Sequence, residues 1–269
     1  MMFLRLIGDC RFRSSFVLFA AMAATGIVAG SAASAILPEV TTQSTKTDAQ
    51  RKTMILTASF LDADFIPDGN LDKAVWSKAE KVRFDRDAFK GTQISEAETT
   101  VASLWTKHYL YLAYWSKYTT LNTYTGEDPA VERWQLWDRD VVEAFIAPQS
   151  AETPHYYEFE VAPNNQWIDL EINFGSKQSP NVQWNSNFLH ATRIDETHRT
   201  WTAELRIPVE SMGAESIDQN TAWRINLYRA DGAGSDAERN LLCWNPLPIN
   251  NGSFHQPASF GLLKFAPRR

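Results

Sequence analysis

Glu143 is the first residue that asks for a chemical explanation. It lies in Trp137-Asp138-Arg139-Asp140-Val141-Val142-Glu143-Ala144-Phe145-Ile146-Ala147-Pro148, where a charged, aromatic start runs into a short apolar strand that Pro148 stops. Strand alternation puts Val141, Glu143 and Phe145 on one face and Val142, Ala144 and Ile146 on the other, and both faces read as buried. An unpaired polar group in such a setting costs roughly 2–7 kcal/mol, so Glu143 needs a partner. Two more acids share the pattern. In His155–Val161, Tyr157, Phe159 and Val161 face one way while Tyr156, Glu158 and Glu160 face the other. Glu143 with Glu158 or Glu160 is the one enzymatic pairing in the chain, since glycoside hydrolysis needs one carboxyl acid and one carboxylate. The same acids serve equally as acceptors for sugar hydroxyls or as members of a structural network. A domain of this size favours binding over hydrolysis.

The aromatic content supports the sugar reading. All ten Trp lie beyond residue 35. Most suit a sandwich core, but a few exposed rings would stack against the C–H faces of sugars. Other chemistries lack their signatures. There is no G-x-S-x-G, no H-E-x-x-H and no paired cysteines, which removes the usual serine-hydrolase and zinc patterns. Asp231-Gly232-Ala233-Gly234 lacks the third glycine and the following helix of a dinucleotide fingerprint. His108, His155, His190, His198 and His255 show no ligand spacing and read as surface or turn residues. Asp62, Asp64, Asp68 and Asp72 cluster as a calcium site would, but not with EF-hand spacing. Pro67-Asp68-Gly69 is a turn signature, and Asp72 is placed to cap a helical turn that buries Val75 and Trp76.

The elements that must position these residues occupy most of the chain. Residues 1–35 read as a secretory signal peptide: Arg5, Arg11 and Arg13, an apolar run from Phe16 to Val28, then Ala33-Ser34-Ala35, with cleavage before Ile36. The run is too short to span a bilayer, so no stable membrane insertion is expected after cleavage. Cleavage removes three Arg and one Asp and takes the formal net charge from −6 to −8, which argues against a nucleic-acid partner. The expected location is secreted or periplasmic. Only Cys243 then remains, so no internal disulfide forms and the core must carry the stability. Residues 36–53 read as a disordered linker, and 54–269 as one domain.

That domain reads as all-β. Strands are expected at Met54–Phe60, Thr100–Thr106, Tyr109–Trp115, Val141–Ile146, His155–Val161, Gln166–Asn173, Trp201–Pro208, Ala222–Ala230 and Phe260–Phe265. Lys107-His108 makes the third element the return arm of a hairpin. One short helical turn is expected over Glu210–Met212, ended by Gly213. On Ala222–Ala230, Arg224, Asn226 and Tyr228 share a face. Thr119 to Arg133 is a long polar loop, of the kind that usually carries function, and it leads to Trp134 and Trp137. Many short strands without a 20–50-residue repeat give an antiparallel β-sandwich or jelly roll.

Four motifs in order carry a resemblance: D-G-x-x-D-x-x-x-W at Asp68, Gly69, Asp72 and Trp76; L-Y-L at Leu110–Leu112; W-x-x-D-x-V-E-x-F-I from Trp137 to Ile146; and S-F-x-x-P-x-x-F-G from Ser253 to Gly261. Together they resemble the family 9 carbohydrate-binding modules, within the DOMON-like β-sandwiches, over Phe60–Phe265. The resemblance implies a non-catalytic module that holds a terminal sugar ring between two aromatics. Trp137 falls at the first clamp position, Phe254 at the second where the family usually has Trp, and Glu143 at the hydroxyl-binding glutamate. Tyr228 falls near a polar family contact. Glu160 stands where the family can carry Arg, which bears on the choice of sugar. The implied partners are an oligosaccharide or polysaccharide and glycan-degrading enzymes, and the family's structural calcium is the one implied cofactor. Alternative readings are a haem-binding DOMON-type domain, for which only Met54 and Met212 would remain as methionine ligands, and a glycoside hydrolase using Glu143.

Overall fold

The computed structural model describes residues 53–126, 128–148, 155–235, 238–248 and 252–268. The expected signal peptide, its cleavage point and all but the end of the linker lie outside these residues. Twelve strands dominate: β1 (Ile55–Phe60), β2 (Lys81–Phe84), β3 (Thr99–Trp105), β4 (Tyr109–Lys117), β5 (Val141–Ala147), β6 (His155–Val161), β7 (Trp167–Asn173), β8 (Leu189–Asp195), β9 (Thr200–Pro208), β10 (Ala222–Asp231), β11 (Asn240–Cys243) and β12 (Gly261–Phe265). The only α-helix among the described residues is one turn, α1 (Ala74–Ser77).

The strands run in the order β7-β6-β5-β10-β12-β1-β3-β4-β9-β8, with β11 added to β10 and β2 to β3. Pairing is antiparallel except at the seam, where β1 lies parallel to both β12 and β3. The sheet curls so that its two arms face each other. One arm contributes Val142, Ala144, Ile146 and Phe159 to the main core, and the other contributes Leu110, Leu112, Trp201, Ala203 and Leu205. The free ends of the arms meet as well. Trp167 packs edge-on against Phe188, and the Thr192 hydroxyl donates to the Pro163 carbonyl at 2.9 Å. An all-β sandwich is therefore what the sequence builds, with two parallel pairings that alternation alone does not reveal. Three strands lie outside those expected. β8 is largely exposed and shows no apolar period, and β2 and β11 are four residues each, too short for alternation to mark them.

Outside the main core, each arm has a second buried face. On the β3-β4-β9 side, Trp76, Leu104, Tyr111 and Ala113 form a small cluster. Its organiser is Glu204, fully buried, which accepts hydrogen bonds from the backbone N–H of Asp68 and Gly69, from Lys73 Nζ and from Trp76 Nε1. Gly69 is required here: its φ is +74°, and a Cβ would meet the Thr192 carbonyl carbon at 2.8 Å. The Asp-rich segment is thus a buried-carboxylate turn. Asp72 does not cap α1: the N-cap is Lys73, without a side-chain cap. The Asp72 N–H instead donates to Asn70 Oδ1, and Val75 stays only half-buried while Trp76 is enclosed. The remaining face, outside β5, β6 and β10, carries the site.

Candidate functional site

The site grows from cross-strand register. Glu143 on β5 sits directly opposite Tyr228 on β10 and Glu160 on β6, so Tyr228, Glu143 and Glu160 form one row across three strands. One step along, Asn226, Phe145 and Glu158 form the next row. Directly opposed residues share a face, so all six point away from the main core. The apolar members of this face include Val141, Phe145, Tyr156, Ile168, Leu170, Tyr228 and Phe260, with Phe89, Tyr124, Trp137 and Phe254 packed at its margin. All five residues marked in the sequence for sugar contact, Trp137, Glu143, Glu160, Tyr228 and Phe254, therefore belong to one face.

The three glutamates are almost fully enclosed, at 3%, 2% and 2% exposure for Glu143, Glu158 and Glu160. Glu143 Oε1 and Glu160 Oε2 have no hydrogen-bond partner among the described residues. Burial, reinforced by the charge of Glu158 and opposed by Arg239, pushes the Glu143 carboxyl up to about 8. Burial followed by repulsion from Glu143, Glu158 and Asp138 holds Glu160 well above the usual carboxylate range. Glu158 is engaged differently. His255 Nδ1 lies 3.0 Å from its Oε1 and 2.6 Å from the Tyr156 hydroxyl. Burial works against the His255 cation, but the Glu158 contact outweighs it and keeps the imidazole above its ordinary range.

The aromatic margin is layered. Phe254 stacks on Tyr228 with ring centroids 4.2 Å apart and planes 16° apart, and Phe89 lies beyond at 5.8 Å in a near-parallel plane. The Tyr228 hydroxyl donates to the Phe254 carbonyl and receives a hydrogen bond from Asn226 Nδ2, which fixes the height of the Phe254 loop over the sheet. Trp137 sits in a single 3₁₀ turn, Leu136–Asp138, anchored by buried Leu136 and entered through Gln135 at φ +64°. Its ring meets the exposed Trp134 edge-on at 4.9 Å, and its carbonyl accepts from the buried Arg239 guanidinium.

The long loop before β5 is fastened at its base. Asp140, fully buried, accepts from the Asn122 and Gly232 N–H groups, and burial raises its carboxyl to about 6. Tyr124 is held between the Arg133 and Arg139 guanidiniums, at 3.7 and 4.6 Å from its ring. These contacts fix where Trp134 and Trp137 can stand.

Residues that sequence reasoning missed are His255, Arg239 and Phe89; alternation places Asn226 on the face of Tyr228 without a role. His255 follows Phe254 in a turn and carries no spacing signal. Arg239 reaches the site from a loop about a hundred residues away from Trp137 in sequence. Neither is visible to a pattern of period two. Among the described residues, no three of His, Cys, Asp or Glu gather as a metal site. Asp68 is committed to Lys73, Arg193 and the Asn70 N–H, and Asp64 accepts from Tyr111, so the Asp-rich segment does not fit a calcium ion. For haem, Met54 is exposed at the chain entry to β1 and Met212 packs in the main core, so neither lies on this face.

A family model described as carbohydrate family 9 binding domain-like matches residues 66–266. A curated relative from Arthroderma benhamiae, named only as an extracellular protein, is 28% identical over 144 residues, a match covering 48% of this chain and 62% of that one. The chain thus spans less than two thirds of that relative. Among solved structures, a Bacteroides uniformis protein described as a candidate carbohydrate-binding protein superposes with a TM-score of 0.64 at 18% identity, covering 80% of this chain and all of that one. A family 9 carbohydrate-binding module from Caldicellulosiruptor kristjanssonii superposes with TM-scores of 0.56 in complex with glucose and 0.53 in complex with cellotriose. The identities are 15% and 16%, each structure matches 80% of this chain, and 97% and 95% of those chains are covered. These likenesses are of fold.

Proposed function

The chain belongs to the family described as carbohydrate family 9 binding domain-like, and from that membership we propose that it binds a saccharide without catalysis. The bound unit is a terminal sugar ring, free or at the end of an oligosaccharide or polysaccharide. The observation that carries this reading is the Tyr228–Glu143–Glu160 row, lying between aromatic residues on a face turned away from the core.

In this proposal the ring stacks on Trp137, and Phe254, layered between Tyr228 and Phe89, meets it with its ring edge. Stacking on an aromatic face uses the ring's C–H surface, while the hydroxyls at its edge are left for polar partners. Glu143 and Glu160 accept from those hydroxyls through the oxygens that have no hydrogen-bond partner among the described residues. With both carboxyls raised above the ordinary range, each such bond is that of a neutral acceptor and contributes about 0.5–1.5 kcal/mol. Tyr228 acts mainly by carrying Phe254, since its hydroxyl is already engaged. Secretion or export to the periplasm, followed by work beside glycan-degrading enzymes, is the setting we propose; the fungal relative named as extracellular supports it.

Calorimetric titration with glucose, cellobiose, xylo-oligosaccharides and acidic sugars tests the proposal. Binding of at least one is expected, with Trp137→Ala weakening it about thirtyfold, the equivalent of ~2 kcal/mol for a buried aromatic anchor. No heat from any sugar on folded protein sinks the proposal. Normal binding by Trp137→Ala sinks the site.

A further inference from the structure

The charges on the site face do not balance for a neutral ligand. Glu143 comes from β5, Glu158 and Glu160 from β6, and Asp138 from the 3₁₀ turn whose charge acts on Glu160. The cations on this face are Arg239, acting on Glu143, His255, in contact with Glu158, and Arg224, farther along β10 opposite Ala147. Four acids thus share the face with three basic side chains, of which Arg239 and His255 act on them. Glu143 and Glu160 stand directly across from each other, the placement in which like charges destabilise a sheet. Cys243, directly opposite Tyr228, is also titratable on this face, and the hydroxyls of Tyr156 and Tyr228 are occupied by His255 and by Phe254 and Asn226.

A neutral sugar would satisfy the acceptor oxygens but leave the carboxylates repelling one another, so they would have to hold protons. A bare metal ion would cancel charge, but among the described residues no three of His, Cys, Asp or Glu gather to hold one, whereas an ammonium needs only two carboxyl acceptors. An ammonium group does both. It offers three N–H donors and one positive charge, on a ring that the aromatic margin can stack.

We infer that the sugar selected here is a hexosamine with an unacetylated, protonated amine, whose ammonium is received by Glu160 and Glu143. This rests on the carbohydrate-binding reading and sharpens it. The two enclosed oxygens without partners, Glu143 Oε1 and Glu160 Oε2, are its receptors. An acetyl group on the amine removes both the charge and two of the three donors, so the acetylated sugar loses the preference.

The test is calorimetry at about pH 6 and again at about pH 7, with glucosamine, N-acetylglucosamine and glucose as the three ligands. Glucosamine is expected to bind about tenfold or more tighter than the other two, the scale of one charge-assisted hydrogen bond. The advantage should shrink with added salt. Repeating the wild-type titration near pH 7 in buffers of different ionisation enthalpy should show protons released on glucosamine binding, as the carboxyls ionise against the ammonium. Glu160→Gln should bring the glucosamine-to-glucose affinity ratio towards one. If that variant does not fold, the wild-type ratio and proton release still decide the matter. Glucose binding as tightly as glucosamine, or glucosamine binding without proton release, overturns the inference and leaves the neutral-sugar reading standing. Absence of binding by every sugar overturns both.

Discussion

Glu143 offers the sharpest test of the buried acidic face through stability alone. Its carboxyl is enclosed beside Glu158 and opposite Glu160, and its pKa is raised from 4.5 to about 8. In the unfolded chain it titrates near ~4.3. A carboxyl whose folded pKa is raised binds its proton more tightly in the folded state. Its contribution is complete below the unfolded pKa and is lost as pH rises through the folded one. The window is therefore about pH 4.5 to 8. Each pKa unit is ~1.4 kcal/mol, so a shift of three to four units makes the loss at most about 5 kcal/mol. For a domain of roughly 200 residues that is a fall of about 10–20 °C in Tm. Glu143→Gln keeps the shape and removes the titration. Glu160, Asp140 and Glu132 are shifted in the same direction, so the variant should keep a shallower slope. Thermal melts by circular dichroism from about pH 5 to 9 read the difference. Wild type should lose stability across the window, and Glu143→Gln should lose clearly less and be the more stable protein at pH 9. Parallel slopes, or a wild type that gains stability with rising pH, would refute the reasoning.

Other residues test the frame around the site. Glu204→Ala leaves the Asp68 and Gly69 N–H groups, Lys73 Nζ and Trp76 Nε1 without their shared acceptor, so it should cost about 3–5 kcal/mol in denaturant melts. Gly261→Ala drives a Cβ to within 2.6 Å of the Trp244 ring and 2.8 Å of the Met54 carbonyl oxygen. It should cost about 1–3 kcal/mol by the same measurement. Asp140→Ala releases Asn122 and Gly232 from the base of the long loop. Sugar affinity should fall through lost placement of Trp137, and hydrogen exchange should rise at Asn122. Incubation of the wild type with cellotriose should release no reducing sugar. Release that disappears in Glu143→Gln would make the domain a hydrolase.

The sequence was legible wherever one face of a strand was buried and the other differed from it. β5 and β6 could be read residue by residue, down to which side Glu158 and Glu160 take, because alternation is a direct consequence of the pleat. The convergence of Glu143, Glu160 and Tyr228 was not legible from spacing, since it depends on β10 pairing with β5 across some eighty residues of chain. The parallel seating of β1 was hidden for the same reason. β8 gave no signal because its exposed side chains have no period to show. Asp72 looked like a cap, but Glu204, 132 residues later, organises that turn instead. His255 and Arg239 arrive on loops, where position is fixed by tertiary contacts rather than by local pattern.

Crystals of the protein soaked with glucosamine and, separately, with cellotriose would locate the sugar on the protein. The expected result is a sugar ring stacked on Trp137 beside Phe254, with an oxygen or nitrogen within hydrogen-bond distance of Glu143 Oε1. Clear density for the sugar on any other face, with that face of β5, β6 and β10 unchanged, would contradict it.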